Sequence, residues 1–229
     1  MKTAIVTGAL GNLGQAVVKK FVAQGFRVVG TIAPGEEAPI SASHDNFTTA
    51  PVDLTNETDV EKFITNTTAK YQKIDAAVLT AGGFAMGTVS ETKTSDIAKQ
   101  YQLNFETAYN IARPVFNNMR QSKTGRIFLI GSRPGIEAAA GKGMIAYSLA
   151  KSLIFRLAEL MNDEAKGTNV VTSVVVPSTI DTPPNRKAMP GANFDDWVTP
   201  EAIADVIYFY CTDEAAILRE PVIKVYNKS

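Results

Sequence analysis

Apolar positions recur along the chain in short runs separated by longer segments with helical spacing. Residues 2–7 (KTAIVT) open the series, and similar runs follow at 26–32, 47–52, 76–80, 126–130, 170–176 and 221–225. Apolar at successive rather than alternate positions, they predict strands buried on both faces. Between them, 15–24, 58–71, 95–119, 145–166 and 200–210 carry helical patterns, the first through Val17, Val18, Phe21 and Val22. Strands alternating with helices predict an α/β chain: a mostly parallel, seven-stranded, doubly wound sheet flanked by helices. No repeat, low-complexity tract or linker divides residues 1–229, so one domain is expected. Two stretches break the pattern. Residues 33–46 (APGEEAPISASHDN) are rich in breakers, so the helix expected there is short or absent. Residues 181–200 hold four prolines and the only Trp without periodicity, which predicts an ordered lid over about 178–200.

Composition narrows the class. With 45% hydrophobic residues the chain can bury a substantial core, and 23 basic against 23 acidic residues give no bias towards nucleic acid or an anionic membrane. No apolar run is long enough to span a bilayer, and the first strand follows Met1-Lys2 directly, leaving no room for a signal peptide. Cys211 is the only cysteine, which excludes intrachain disulfides and makes a reducing cytoplasm the expected compartment. His44, the only histidine, lies in a polar loop away from any cluster at ligand spacing; it reads as solvated, and no metal is expected.

Candidate chemistry sits in two places. The strand at 2–7 runs into Gly8, Gly11 and Gly14 of TGALGNLG, and a helix follows. Strand, glycine turn and helix form a dinucleotide-binding arrangement. The glycines let the backbone turn tightly and approach a pyrophosphate whose charge meets free amides at the helix start, and a side chain at Gly14 would intrude there. Far downstream, Tyr147 and Lys151 lie four apart in YSLAK and share one helix face. An ammonium beside the phenol favours its ionised form, so the spacing predicts a lowered tyrosine pKa and a proton relay.

With these motifs in register, the chain resembles the short-chain dehydrogenase/reductase family over nearly its whole length. The resemblance implies a Rossmann-type fold, an NADH or NADPH cofactor and further site residues. TGALGNLG, with Gly8, Gly11, Asn12, Leu13 and Gly14, supplies the cofactor loop. Asp53 and Leu54 in PVDLT lie against the adenine, and Ala81, Gly82 and Gly83 fill the slot of the family's Asn-Asn-Ala-Gly. Asn104 in YQLNF matches the helix asparagine, Ser132 ends the fifth strand, and Tyr147 and Lys151 complete the catalytic set and hold the cofactor. Pro177, Thr179, Ile180 and Thr182 in PSTIDT match the segment gripping the nicotinamide. Residues 81–87, 143–151 and 181–200 resemble dihydropteridine reductases in particular.

Departures are informative. Asn12 replaces a usual glycine, giving the Gly-x-x-Gly-x-x-Gly spacing of sugar-nucleotide epimerases, which need more chain. Dihydropteridine reductases lack the serine present here as Ser132, and the interval from it to Tyr147 is longer than usual. At the second strand's end, Thr31, Ile32 and Ala33 offer neither an acid for a ribose hydroxyl nor a base for a 2′-phosphate, and Glu36 comes late. NADH and NADPH both stay open, with NADPH slightly favoured. The reading is therefore an oxidoreductase moving hydride between nicotinamide and a carbonyl or alcohol carbon, with Tyr147 handling the proton, Lys151 lowering its pKa and Ser132 holding the oxygen. The alternatives are a quinonoid dihydropteridine reductase and a dinucleotide-binding regulator without turnover. The helix at 145–166 is apolar on more than one side, through Ile145, Leu149, Leu153, Phe155 and Leu160, which implies a homodimer or homotetramer acting on a small molecule.

Overall fold

The computed structural model describes residues 1–37 and 45–228; His44 and the middle of the breaker-rich stretch lie outside the described residues. Residues 33–37 contain no helix. Seven strands, β1 (Thr3–Thr7), β2 (Arg27–Ile32), β3 (Phe47–Pro51), β4 (Ala76–Leu79), β5 (Thr124–Ile130), β6 (Asn169–Pro177) and β7 (Val222–Val225), form one sheet in the order β3-β2-β1-β4-β5-β6-β7. All neighbouring pairs are parallel. The successive apolar residues explain this, because alternate side chains enter two separate cores. Ile5, Val29, Ala77, Ile127 and Val174 pack on one face. Val6, Val28, Val78, Phe128 and Val175 pack on the other.

Helices cover both faces. α2 (Glu57–Tyr71), α4 (Thr107–Ser122) and α5 (Ile145–Glu164) supply the first core, while α1 (Asn12–Ala23) and α7 (Pro200–Phe209) supply the second. Two shorter helices, α3 (Thr94–Tyr101) and α6 (Pro183–Ala188), lie near the carboxyl ends of the strands. α2 starts where its sequence says it should, with Asn56 Oδ1 accepting from Thr58 N at 2.9 Å and Asp59 N at 3.3 Å.

The helix predicted over 95–119 is divided. Between α3 and α4 lies a π-helical turn, Gln102–Glu106, in which Thr107 N donates to Gln102 O, five residues back. The Leu103 carbonyl is met instead by Thr107 Oγ1 at 2.8 Å. Periodicity does not single out such a turn here, since a one-residue phase shift of about 100° is masked in a segment with apolar residues on more than one side.

At the amino end of β5, Arg126 is buried at 9% exposure. Its guanidinium donates to the carbonyls of Tyr210, Gly125, Asn169 and Ala216 and to Asn169 Oδ1, tying β5 to the start of β6 and to the chain after α7. At the opposite end of the sheet, the strand order reverses between β1 and β4 and opens a cleft outside the strands' carboxyl ends. Among the described residues, no helix is long and apolar enough to cross a membrane.

Candidate active site

The glycine loop closes on itself at the mouth of this cleft. Gly8 leaves β1 at φ +59°, a left-handed conformation that suits glycine, and its carbonyl accepts from Gly11 N at 2.9 Å. A Cβ on Gly14 would lie 2.1 Å from that carbonyl oxygen. The sequence reading assigns the constraint on Gly14 to an approaching pyrophosphate; the structure places it within the loop's own backbone. Asn12 is exposed at the start of α1, whereas the Leu13 side chain belongs to the core and leaves only its backbone for a ligand. Thr31 is likewise closed off, 1% exposed, with its carbonyl accepting from Ala9 N at 3.0 Å.

The adjoining strand ends bring in the remaining cofactor candidates. Asp53 Oδ1 accepts from Thr55 N at 2.9 Å and Thr55 Oγ1 at 2.7 Å, bonds that hold its carboxyl below the usual range. The buried Asn110 side chain donates to Leu54 O at 3.0 Å. Thr80 Oγ1 donates to Thr7 O at 2.6 Å and Ala81 N to Thr7 Oγ1 at 3.2 Å, tying the segment after β4 to the end of β1. The Glu36 carboxylate, late by sequence, folds back to accept from Ala33 N at 3.1 Å and so stands at the end of β2.

The second cluster is carried by α5 and the end of β5. Lys151 is 6% exposed, and its Nζ donates to Ile130 O at 2.8 Å. Nζ lies 5.8 Å from the centre of the Tyr147 ring. Burial brings the Lys151 ammonium down to about 8. Burial also pushes the Tyr147 phenol above its ordinary value, while an interaction with the Ser132 side chain pulls more weakly the other way. This reverses the direction expected from the Tyr-Lys spacing, because desolvation of the phenolate outweighs any help from a lysine whose own charge is disfavoured. Ser132 Oγ is buried without a partner of regular hydrogen-bond geometry, so its approach to Tyr147 is an electrostatic contact rather than a formed bond. The longer interval after Ser132 is taken up by two 3-10 turns, Arg133–Gly135 and Ala138–Gly141.

Asn104 lies in the π turn, 1% exposed, and Oδ1 accepts from Gly83 N at 3.1 Å. A Cβ on Gly82 would lie 2.8 Å from that oxygen and 3.6 Å from Lys151 Nζ, so this glycine lets the segment pass between them. The next residues reach α5 through Gly87 N to Gly143 O (2.7 Å) and Ile145 N to Gly87 O (3.1 Å). Phe84, 59% exposed, stands edge-on to the Tyr147 ring at 5.1 Å.

The opposite wall is residues 178–200. Pro177 ends β6, Thr179 O accepts from Val198 N at 3.0 Å, and Ile180 O accepts from Asn185 Nδ2 at 2.8 Å. Thr182 caps α6, a short helix that the sequence pattern does not predict. Trp197 is buried at 7% against Phe194, at 4.8 Å between rings, which makes it an anchor of this segment rather than a platform for substrate. Asn227 Nδ2 holds it from beyond β7 by donating to Asp195 O at 3.0 Å and Trp197 O at 2.9 Å.

All the sequence-predicted residues thus gather at one end of the sheet, although Thr31 and the Leu13 side chain turn away from the cleft. Sequence reasoning missed Thr7, Gln100 and Asn110, and it noted Glu36 only as a carboxylate that comes late. Only the polar character of Gln100 and Asn110 on otherwise apolar helix faces signalled them.

A family model for the short chain dehydrogenases matches residues 2–192. Among relatives, an acetoacetyl-CoA reductase of Acinetobacter sp. (strain RA3849) is 28% identical over 80% of this chain and 75% of its own length. A dihydropteridine reductase of Dictyostelium discoideum is 28% identical over 93% and 88%. The solved structure of ElxO with NADP bound superimposes with TM-score 0.89 at 22% identity, covering 98% of this chain and 96% of that one, a likeness of fold. The family match spans most of the chain and includes the glycine loop, Ser132, Tyr147 and Lys151; the chain belongs to the short chain dehydrogenase family.

Proposed function

We propose that the protein is a nicotinamide-dependent oxidoreductase that reduces a carbonyl carbon. The observation that carries this reading is Ser132 Oγ, buried without a hydrogen bond of regular geometry and set beside the Tyr147 phenol. A hydroxyl without a regular hydrogen bond is available to a substrate oxygen, and a phenol that is protonated at neutral pH can donate its proton to that oxygen. The residues suit a dinucleotide: the glycine loop and Asp53 stand at the cleft, and Lys151, with one acceptor at Ile130 O, has two N–H groups left for ribose hydroxyls. When bound, that cofactor supplies the hydride. Ser132 orients the substrate oxygen, Tyr147 delivers the proton to it, and Lys151, titrating near 8, exchanges protons behind Tyr147 with Asn104 supporting a water chain to it. Residues 177–182 would flank the nicotinamide. The test is oxidation of NADH and NADPH by purified protein with simple ketones, quinones and quinonoid dihydropterin. Tyr147→Phe should lower turnover by about 10²–10⁴-fold while calorimetric dinucleotide affinity survives; a near-full rate overturns the assignment.

A second reading, quinonoid dihydropteridine reduction, is favoured by Phe84, an exposed aromatic ring at a T-shaped angle to Tyr147 on which a flat conjugated substrate could pack. For the cofactor, Glu36 supports NADH: the sequence lean towards NADPH rests on a missing carboxylate, and this side chain supplies one at the end of β2. Large apolar side chains left exposed on α3 to α5, namely Tyr101, Leu103, Tyr109, Leu149, Leu153 and Leu160, support a homo-oligomer, which sedimentation equilibrium measures.

A further inference from the structure

Gln100 is a buried polar residue at the end of α3, 4% exposed. A glutamine there gives up its hydration and needs a reason to stay polar. Its Oε1 accepts from Asn104 Nδ2 at 3.0 Å, and its backbone carbonyl accepts from the same nitrogen at 3.3 Å. The other end of the Asn104 amide, Oδ1, accepts from Gly83 N at 3.1 Å. The two ends of an asparagine amide are nearly identical in shape and opposite in hydrogen-bonding character, so which one faces a given neighbour depends on the partners at both ends. Two acceptors on Gln100 draw the NH₂ towards α3, and the oxygen is thereby presented to the Gly83 amide and the flank of Gly82.

We propose that Gln100 is a positioning residue: by fixing the polarity of the Asn104 amide it holds Gly82 and Gly83 in the conformation that binds the dinucleotide. The inference rests on the cofactor reading above. Without the Gln100 side chain, the Asn104 NH₂ keeps only the longer bond to the Gln100 carbonyl, and the Gly83 N–H is left to orient the other end. A flipped amide would point NH₂ at the Gly83 N–H, donor against donor, and release the segment. The π turn is where such a latch is needed, since its widened backbone constrains Asn104 less than regular α-helix does.

The test compares Gln100→Met, which keeps shape and removes the acceptor, with Gln100→Glu, which keeps an acceptor oxygen. Hydrogen exchange at the Gly83 amide, measured without cofactor, should quicken about tenfold in Gln100→Met and stay near wild type in Gln100→Glu. The dinucleotide KM should rise about tenfold in the first, with a smaller change in kcat, and return towards wild type in the second. A folded Gln100→Met with unchanged Gly83 exchange overturns the proposal, as does an equal rise of KM in both variants, which would mark Gln100 as packing alone. If Gln100→Met does not fold, Gln100→Asn, one methylene too short to reach Nδ2, takes its place with the same expected results. Wild-type protein that binds no dinucleotide would sink the cofactor reading instead, and the Gly83 exchange would then decide the Gln100 latch by itself.

Discussion

Gly14 sits so close to Gly8 that a Cβ on the first would stand 2.1 Å from the carbonyl oxygen of the second. That oxygen belongs to the backbone and cannot rotate away, so Gly14→Val must open the loop. Dinucleotide affinity should fall more than about tenfold, and Tm should drop by several degrees as the start of α1 shifts. Wild-type affinity by calorimetry in a folded Gly14→Val protein would remove this loop from the site.

Ser132 separates stability from activity. Its hydroxyl is buried without a hydrogen bond of regular geometry and makes only a weak contact with Tyr147, so Ser132→Ala should change Tm little. On a ketone, whose oxygen gains negative charge as hydride arrives, the same change should slow the reaction about 10- to 10³-fold. Reduction of a quinonoid dihydropterin, where charge spreads into a conjugated ring, should suffer much less. Equal losses on both substrates, or none on a ketone that the wild type reduces well, would place Ser132 outside the chemistry.

Lys151 gives the empty protein a pH dependence of known sign. Its pKa moves from an ordinary 10.5 down to about 8 on folding, so between those values the unfolded chain holds the proton that the folded one releases, and stability rises with pH. The penalty is fully relieved above 10.5 and fully present below about 8, and it is bounded at roughly 3 kcal/mol. Tyr147 and Cys211, the latter pushed up to about 12 by burial, act in the opposite sense at high pH, so the comparison must be with Lys151→Met, which keeps both. Thermal unfolding from pH 7 to 10 should shift the Tm difference steadily in favour of wild type. A difference flat across that range would mean that Lys151 keeps an ordinary pKa.

On the NADH reading, the Glu36 carboxylate at the end of β2 would repel a 2′-phosphate. Glu36→Ser should raise the ratio of kcat/KM for NADPH to that for NADH by about tenfold, the scale of one unscreened charge near a surface. An unchanged ratio would show that the carboxylate's bond to Ala33 N is a local turn feature without a role in cofactor choice.

The sheet was readable because each strand buries both faces and leaves an unbroken apolar run, as Ala4, Ile5 and Val6 do in β1. The positions of Gly8, Tyr147 and Lys151 were readable because their spacing is local. What escaped depends on backbone detail or on partners remote in sequence. The π turn at 102–106 alters one hydrogen bond, and Glu36 reaches the end of β2 only through the turn at 33–36. The direction of the Tyr147 pKa escaped for a related reason: two residues reveal attraction, whereas desolvation belongs to everything packed around them. That Trp197 anchors its segment is visible only in its burial against Phe194.

Arg126 gives β5 an unusual mechanical role. The strand is clamped near one end by four hydrogen bonds that Arg126 donates to other segments, and its other end delivers Ile130 O to Lys151 and leads into Ser132. Arg126 and Ile130 are four residue steps apart on the same strand, roughly 13 Å of backbone with little freedom to slide. One jaw of the cleft is therefore a fixed anvil. The facing jaw, 178–200, is held by a few backbone bonds, the Arg186–Asp181 ion pair, the buried Trp197 and Asn227. On the proposed reading, accommodation of substrates of different size would fall to that side, with the Ser132 wall as the fixed reference.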